Sequence, residues 1–216
     1  MGLRTPPHAV IEYHTIVVGP LEVNTYIVVD PQTRRAAVID PGAETIRILA
    51  EVERLNARPA LILNTHAHGD HIGGNRAIKS ATMAPLAVHR LEADWLADPQ
   101  ANISALFGNP VVSPPADILL EHEDCLRVGF LEIHVRHTPG HSPGSSSFLI
   151  GNTLFCGDTI FREGIGRTDL PGGDYDRLIK SIRREILALP DNTALCPGHG
   201  PSTSVEHERT ANPFLT

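Results

Sequence analysis

A seven-residue stretch, Thr65-His66-Ala67-His68-Gly69-Asp70-His71, constrains the fold of this chain more than any other. It sets three imidazoles and a carboxylate within six consecutive positions, directly after Leu61-Ile62-Leu63, an apolar run that reads as a buried strand. Where the backbone stays extended, His66, His68 and Asp70 share one side by the period of two, and a turn at Gly69 can swing His71 round to join them. Neutral imidazole and carboxylate are the ligands that zinc and iron favour. A lone His-x-His is as readily a polar turn making surface hydrogen bonds; four ligand-type residues together argue for a metal. The fold must then hold this loop rigidly at a strand end, which is where binding sites are usually built.

Three further candidates stand beside glycine just beyond expected strands: His141 in Pro139-Gly140-His141, Asp158 after Gly157, and His199 in Pro197-Gly198-His199. Around them the chain opens as a meander, with strands at Ile16-Val17-Val18, Thr25 to Val29 and Ala36 to Ile39 separated by Gly-Pro and Asp-Pro turns. Ile48, Leu49, Val52 and Leu55 mark a helix face ending near Asn56; a short helix around Asn75 to Lys79 and a strand near Leu86 to Val88 follow. Residues 97–116 hold four prolines and little periodicity, and read as a long cover loop. Alternation from Phe130 predicts a strand with His134 facing solvent and His137 facing inward. Gly151-Asn152 predicts a hairpin, with Ser145-Ser146-Ser147 opening its first strand rather than attacking a substrate. Tyr175, Leu178, Ile179, Ile182, Ile186 and Leu189 trace a helical stripe, and a strand at Ala194 to Cys196 and a helix close the chain. Strands, then mixed strands and helices, then strands and helix again predict two packed sheets with helices outside, in one domain over residues 1–216.

Composition narrows the function. With 18 Lys and Arg scattered through a chain of net charge −7, no basic stripe exists to track phosphates, so nucleic acid is excluded as a partner and a small-molecule substrate expected. No apolar run reaches membrane-spanning length and the N-terminus lacks a signal-peptide layout, so no membrane is expected and the location predicted is cytoplasmic. A myristoylation signal at Gly2 is broken by Pro6, and the sequon Asn102-Ile103-Ser104 has no consequence without secretion. Cys125, Cys156 and Cys196 are too widely spaced for a metal knuckle and read as reduced, buried hydrophobes. There is neither a Gly-x-Ser-x-Gly elbow nor a Gly-rich phosphate loop. Oligomeric state is not legible here.

Taken in order, His66, His68, Asp70, His71, His141, Asp158 and His199 resemble the metallo-β-lactamase superfamily pattern of His-x-His-x-Asp-His followed by a distant His, Asp and His. The resemblance spans nearly the whole chain. It implies an α/β fold, a four-layer αββα sandwich of two mixed β-sheets flanked by helices. It implies two divalent metal ions, zinc by preference with iron or manganese as alternatives: His66, His68 and His141 on one, Asp70, His71 and His199 on the other, and Asp158 bridging. Two such ions carry about four positive charges, of which Asp70, Asp158 and a bridging hydroxide remove about three. The remainder can stabilise an oxyanion, and Asp70 also partners the attacking water.

Within the superfamily, Gly157-Asp158-Thr159-Ile160-Phe161, Gly166-Arg167-Thr168-Asp169 and the ending Asn212-Pro213-Phe214-Leu215 look like short glyoxalase II-like hydrolases, which cleave thioesters such as S-lactoylglutathione. Aspartate at 158 argues against common zinc β-lactamases, which are similar earlier but place cysteine there. Two departures weaken the expected grip on glutathione: His199 is followed by Gly200-Pro201 instead of Glu and Tyr, and the C-terminal helical domain of those enzymes has no counterpart. Persulfide dioxygenases share the pattern and a similar Gly-Arg-Thr-Asp segment, which leaves a single iron on His66, His141 and Asp158 as an alternative, and a lactonase or β-lactamase as another. Lesser expectations are a positioning role or a plain core role for His137, and surface positions for His8, His14, His89, His122 and His207. Trp95, Leu96, Ile103, Leu106 and Phe107 are expected to wall a pocket or pack the cover loop, and Arg167 and Asp169 to form a buried pair.

Overall fold

In the computed structural model, which describes residues 11–215, period-two burial organises the molecule. Strands β1 (Glu12–Val18), β2 (Val23–Val29), β3 (Arg35–Ile39), β4 (Arg58–Leu63), β5 (Leu86–His89) and β6 (Ile118–Leu120) form one sheet in sequence order. The first three pair antiparallel and the last four parallel. Because alternate residues face opposite sides, Tyr26, Val28, Ala37, Ile39, Leu61 and Leu63 point to the second sheet. Ile27, Val29, Ala36, Val38 and Ile62 point outward to Ile48 and Val52 of helix α1 (Thr45–Arg54). Strands buried on both faces read as unbroken apolar runs, which is how Leu61-Ile62-Leu63 looks in the sequence. A four-residue helix, α2 (Gly69–Ile72), carries Asp70 and His71, and α3 (Asn75–Thr82) buries Ile78 on the same outer layer.

Strands β7 (Cys125–Val128), β8 (Leu131–His137), β9 (Ser146–Ile150) and β10 (Thr153–Gly157) form the second sheet with β13 and β14, after a two-stranded ribbon of β11 (Ile160–Phe161) and β12 (Gly164–Ile165). β13 (Ala194–Pro197) lies parallel to β10, and β14 (Thr203–Ser204) covers the edge. Phe148, Ile150 and Phe155 face the first sheet, where Tyr13 and Tyr26 meet Phe155 edge-on at 5.5 and 4.9 Å. On the other face Leu154, Cys156 and Leu195 pack under α4 (Tyr175–Ser181), its π-helical continuation Ile182–Ile186, and α5 (Val205–Ala211). The expected sandwich of two mixed sheets between helical layers is what forms.

Most expected elements stand where the sequence puts them, and the departures have local causes. Tyr175 is exposed, because it opens the first turn of α4 where Asp174 caps Arg177 N, before the helix meets the sheet. Cys125 is exposed on β7, which pairs with one neighbour only; Cys156 and Cys196 are buried as expected. His89 is buried rather than on the surface, since the last position of β5 turns beneath the loop that follows β8. His8, Gly2 and Pro6 lie outside the described residues. No helix among the described residues is long and apolar enough to cross a membrane.

Candidate metal centre

Parallel strands bring their C-terminal ends to one rim, and the seven residues gather there. His66 follows β4, Asp70 and His71 sit on α2, His141 lies in the β8 to β9 loop, and Asp158 and His199 follow β10 and β13. Three groups have ligand atoms within 4.8 Å of one another: His66, His68 and His141; His66, His71 and Asp158; and Asp70, His71 and His199. Asp158 touches both ends, one oxygen 3.5 Å from His71 Nε2 and the other 3.7 Å from His141 and 3.5 Å from His199. Asp70 lies 3.6 and 3.5 Å from His71 and His199. Close approach needs small neighbours: a Cβ on Gly198 would stand 2.1 Å from Asp158 Oδ1, and one on Gly157 2.4 Å from Thr65 Oγ1.

The outer ring nitrogens fix each imidazole. His71 Nδ1 donates to Asp40 Oδ2 at 3.0 Å, His141 Nδ1 to Arg167 O at 2.8 Å and His199 Nδ1 to Leu21 O at 2.8 Å. Carboxylate and carbonyl oxygens can only accept here, so each Nε2 turned to the centre carries a lone pair. His71 Nε2 and His199 Nε2 then face each other at 3.3 Å, and His141 Nε2 lies 2.9 Å from His68 Nδ1. The lone pairs of His71 and His199 require a proton or a cation between them, while His68, whose other ring nitrogen has no partner to set its tautomer, meets His141 either as a hydrogen-bond donor or through an ion. His66 Nε2, His68 Nε2 and Asp158 Oδ1 are buried without any hydrogen-bond partner, a costly state unless an ion completes them. The residues present therefore fit a metal centre.

Electrostatics agree. Burial, reinforced by the neighbouring imidazoles, holds His66 and His68 well below the usual range, so both are neutral donors. Burial would lift the Asp70 carboxyl, but His71 and His199 hold it far below the usual carboxylate range. Burial also opposes charge on His71, yet Asp70, Asp158 and Asp40 push its pKa up to about 10. Three carboxylates around one imidazole are a demand for positive charge that a metal ion can meet in place of a proton.

Two supporting residues stand outside the pattern of seven. Asp40, beyond β3 at φ 48°, accepts from Thr65 N (2.7 Å), Thr65 Oγ1 (2.6 Å) and His71 Nδ1. Thr65 Oγ1 in turn meets His66 Nδ1 at 3.1 Å, so one carboxylate orients two imidazoles. Glu92, fully buried, accepts from Ala67 N (2.5 Å) and Gly144 N (2.7 Å), tying the histidine-rich loop to the loop of His141. Asp40-Pro41-Gly42 after a strand was the available hint for the first; nothing local marks the second.

Other expectations are redrawn. His137 bonds Pro143 O and stacks on His89 at 4.0 Å, touching none of the seven. Arg167 and Asp169 do pair, at 2.8 Å, but in solvent with side chains 55% and 69% exposed, because their loop stands at the cleft mouth. Ile103 and Phe107 border the cleft, Leu96 is core, Trp95 packs against the core and stacks loosely near His68, and Leu106 is exposed. Asn102 is fully buried, so its sequon is structural.

The model of the metallo-beta-lactamase superfamily matches residues 18–199. The crystal structure of BLEG-1 B3 metallo-beta-lactamase is similar with a TM-score of 0.92 and 41% identity, over 95% of this chain and 100% of that one. That of TTHA1623 in a di-iron-bound form gives 0.83 and 36%, over 94% and 100%. Hydroxyacylglutathione hydrolase GloC of Haemophilus influenzae is 33% identical over 186 residues, 84% of this chain and 88% of that protein. With the family model running from the end of β1 through β13 and over the whole rim, this chain belongs to the metallo-beta-lactamase superfamily of metal-dependent hydrolases.

Proposed function

We propose that residues 1–216 act as one binuclear, cytoplasmic thioester hydrolase of glyoxalase II type, with S-lactoylglutathione as a substrate and zinc as the first choice of metal. The observation that carries this reading is the pair of ligand groups, His66 with His68 and His141 and Asp70 with His71 and His199, between which Asp158 lies 3.7 Å from His141 and 3.5 Å from His199. In it His66, His68 and His141 hold one ion, Asp70, His71 and His199 the other, and Asp158 both. Two divalent ions supply, when bound, a hydroxide at neutral pH and positive charge for the carbonyl oxygen. Asp70, kept ionised by its histidine neighbours, accepts a hydrogen bond from the attacking water and orients it. Asp40, Arg167 O and Leu21 O keep His71, His141 and His199 aimed inward. Arg162 and Arg167 border the cleft and offer cationic contacts to carboxylates of the thiol carrier. Similarity to GloC supports a thioester, and Gly200-Pro201 after His199 supports a loose hold on glutathione.

Zinc-loaded protein should release thiol from S-lactoylglutathione with a high KM, and protein purified without chelator should carry close to two metal ions. A single tightly bound iron, oxygen uptake on a persulfide and no thiol release would replace this reading with the dioxygenase.

A further inference from the structure

The cleft holding the seven residues is one half of a longer trough. Its metal half encloses about 600 Å³, with Arg162 and Arg167 on its border. A second hollow of about 480 Å³ lies on the other side of Asp70, walled by Val18, Val23, Ala43, Ile103, Phe107 and Val111. Leu21, Asp70, Ile103 and Phe107 border both halves and form the waist between them. The halves differ in charge: among the described residues, no Lys or Arg borders the second hollow, and Asp70 is its single charged side chain. An anion entering it would meet a carboxylate, whereas an uncharged apolar group would meet an aliphatic wall.

The waist is held under strain. Ile103 is 4% exposed and adopts a left-handed backbone, φ 59° and ψ −1°, a conformation that is an outlier for a β-branched residue. Its neighbour Asn102 enforces it, donating to Trp95 O and Val111 O and accepting from Ser104 N and Oγ, while Gly69 N of the histidine-rich loop donates to Asn102 O. Glycine would adopt this backbone without strain and asparagine with less, yet the chain keeps a branched apolar side chain at the waist it shares with Asp70. Strain retained at a site edge points to a role for the side chain it positions.

We propose that this hollow is an acyl-chain subsite, with Ile103 and Phe107 as its gate, and that the thioester carries an apolar acyl group longer than lactoyl. The inference rests on the thioester reading above. The acyl chain lies in the hollow and the thiol carrier extends toward Arg162 and Arg167. The water oxygen bonds to the carbonyl carbon, the C–S bond breaks with its electron pair on sulfur, and the thiol leaves with a proton as the carboxylate forms.

The test is a series of S-acylglutathiones from acetyl to octanoyl with metal-loaded protein. Efficiency, kcat/KM, should rise about fourfold per methylene over several carbons, the factor equivalent to about 0.8 kcal/mol. Ala43→Phe, or Val111→Phe should the first not fold by circular dichroism, fills the hollow and should bring the octanoyl to acetyl ratio down to about one. Calorimetric titration with straight-chain carboxylates from acetate to octanoate gives a readout without turnover, with the same stepwise gain in wild type and its loss in the filled variant. Lactoyl cleavage with a flat chain-length profile in both assays overturns the subsite and leaves the hydrolase standing. Chain-dependent carboxylate binding, lost in Ala43→Phe but with no thioester cleaved, upholds the apolar subsite and overturns the thioester.

Discussion

At the scale of single residues, what separates the charged groups here is how many neighbours each one orients. Asp40 binds no metal in the proposed centre, but its two oxygens hold Thr65, and through it His66, as well as His71. Losing such a support typically costs about 10- to 100-fold in metal affinity. Asp40→Ala should therefore weaken binding of the ions by about that factor, read by chelator competition on the folded variant. Asp70 differs, because it is proposed both as a ligand and as the partner of the attacking water. Asp70→Ala should retain its circular dichroism spectrum and lose thioester hydrolysis by several orders of magnitude. Near-normal turnover would remove it from that role.

At the scale of elements, the ends of β5 and β8 meet through the His89 and His137 rings, stacked at 4.0 Å and 13°. Burial, helped by His137 and Arg90, holds His89 down at about 4, with Asp124 pulling weakly the other way and His122 adding to the depression. His137 is lowered mainly by burial, against its bond to Pro143 O. Both pKa values are depressed, so below the ordinary imidazole value of about 6.5 the unfolded chain binds protons that the folded chain refuses. This pair's contribution is complete above about pH 6.5 and is progressively lost toward pH 4. Melting temperature, followed on chelator-treated protein so that metal loss does not contribute, should fall over that window. His89→Gln should show a shallower fall, and an unchanged slope would mean the stack is not what titrates.

At the scale of the whole molecule, the centre joins loops from both sheets, so an ion that binds only the folded state stabilises all of it. Free metal at 100 times its dissociation constant contributes about 2.7 kcal/mol, and a domain of this size gains about 2–4 °C per kcal/mol. Zinc should therefore raise the melting temperature of chelated protein by roughly 5–10 °C. His199→Ala should reduce that gain, since it removes a proposed ligand from a backbone that stays held by Val23, which bridges to residue 199, and by Asn24, which bonds Gly198 O, Pro197 O and Gly200 O. A metal-independent melting curve in wild type would contradict a centre on this rim.

The sequence by itself determined most of the strands, the helix faces and the candidate ligand types, because side-chain periodicity and glycine turns are local physics; β6, β7, β11, β12 and β14 are too short to show a period. Leu61-Ile62-Leu63, the Gly151-Asn152 hairpin and the cluster from His66 to His71 could all be read without a fold. Joining His141, Asp158 and His199 to that cluster took the family resemblance, since nothing local ties residue 66 to residue 199. Only the tertiary structure decided which groups orient the histidines. Asp40 and Glu92 stand 31 and 25 positions from the His71 and Ala67 groups they hold, and hydrogen bonds across such separations leave no periodic trace. Exposure also had to be seen: Arg167 and Asp169 attract each other as their charges require, but whether that happens in the core or in water depends on what the rest of the chain packs over them.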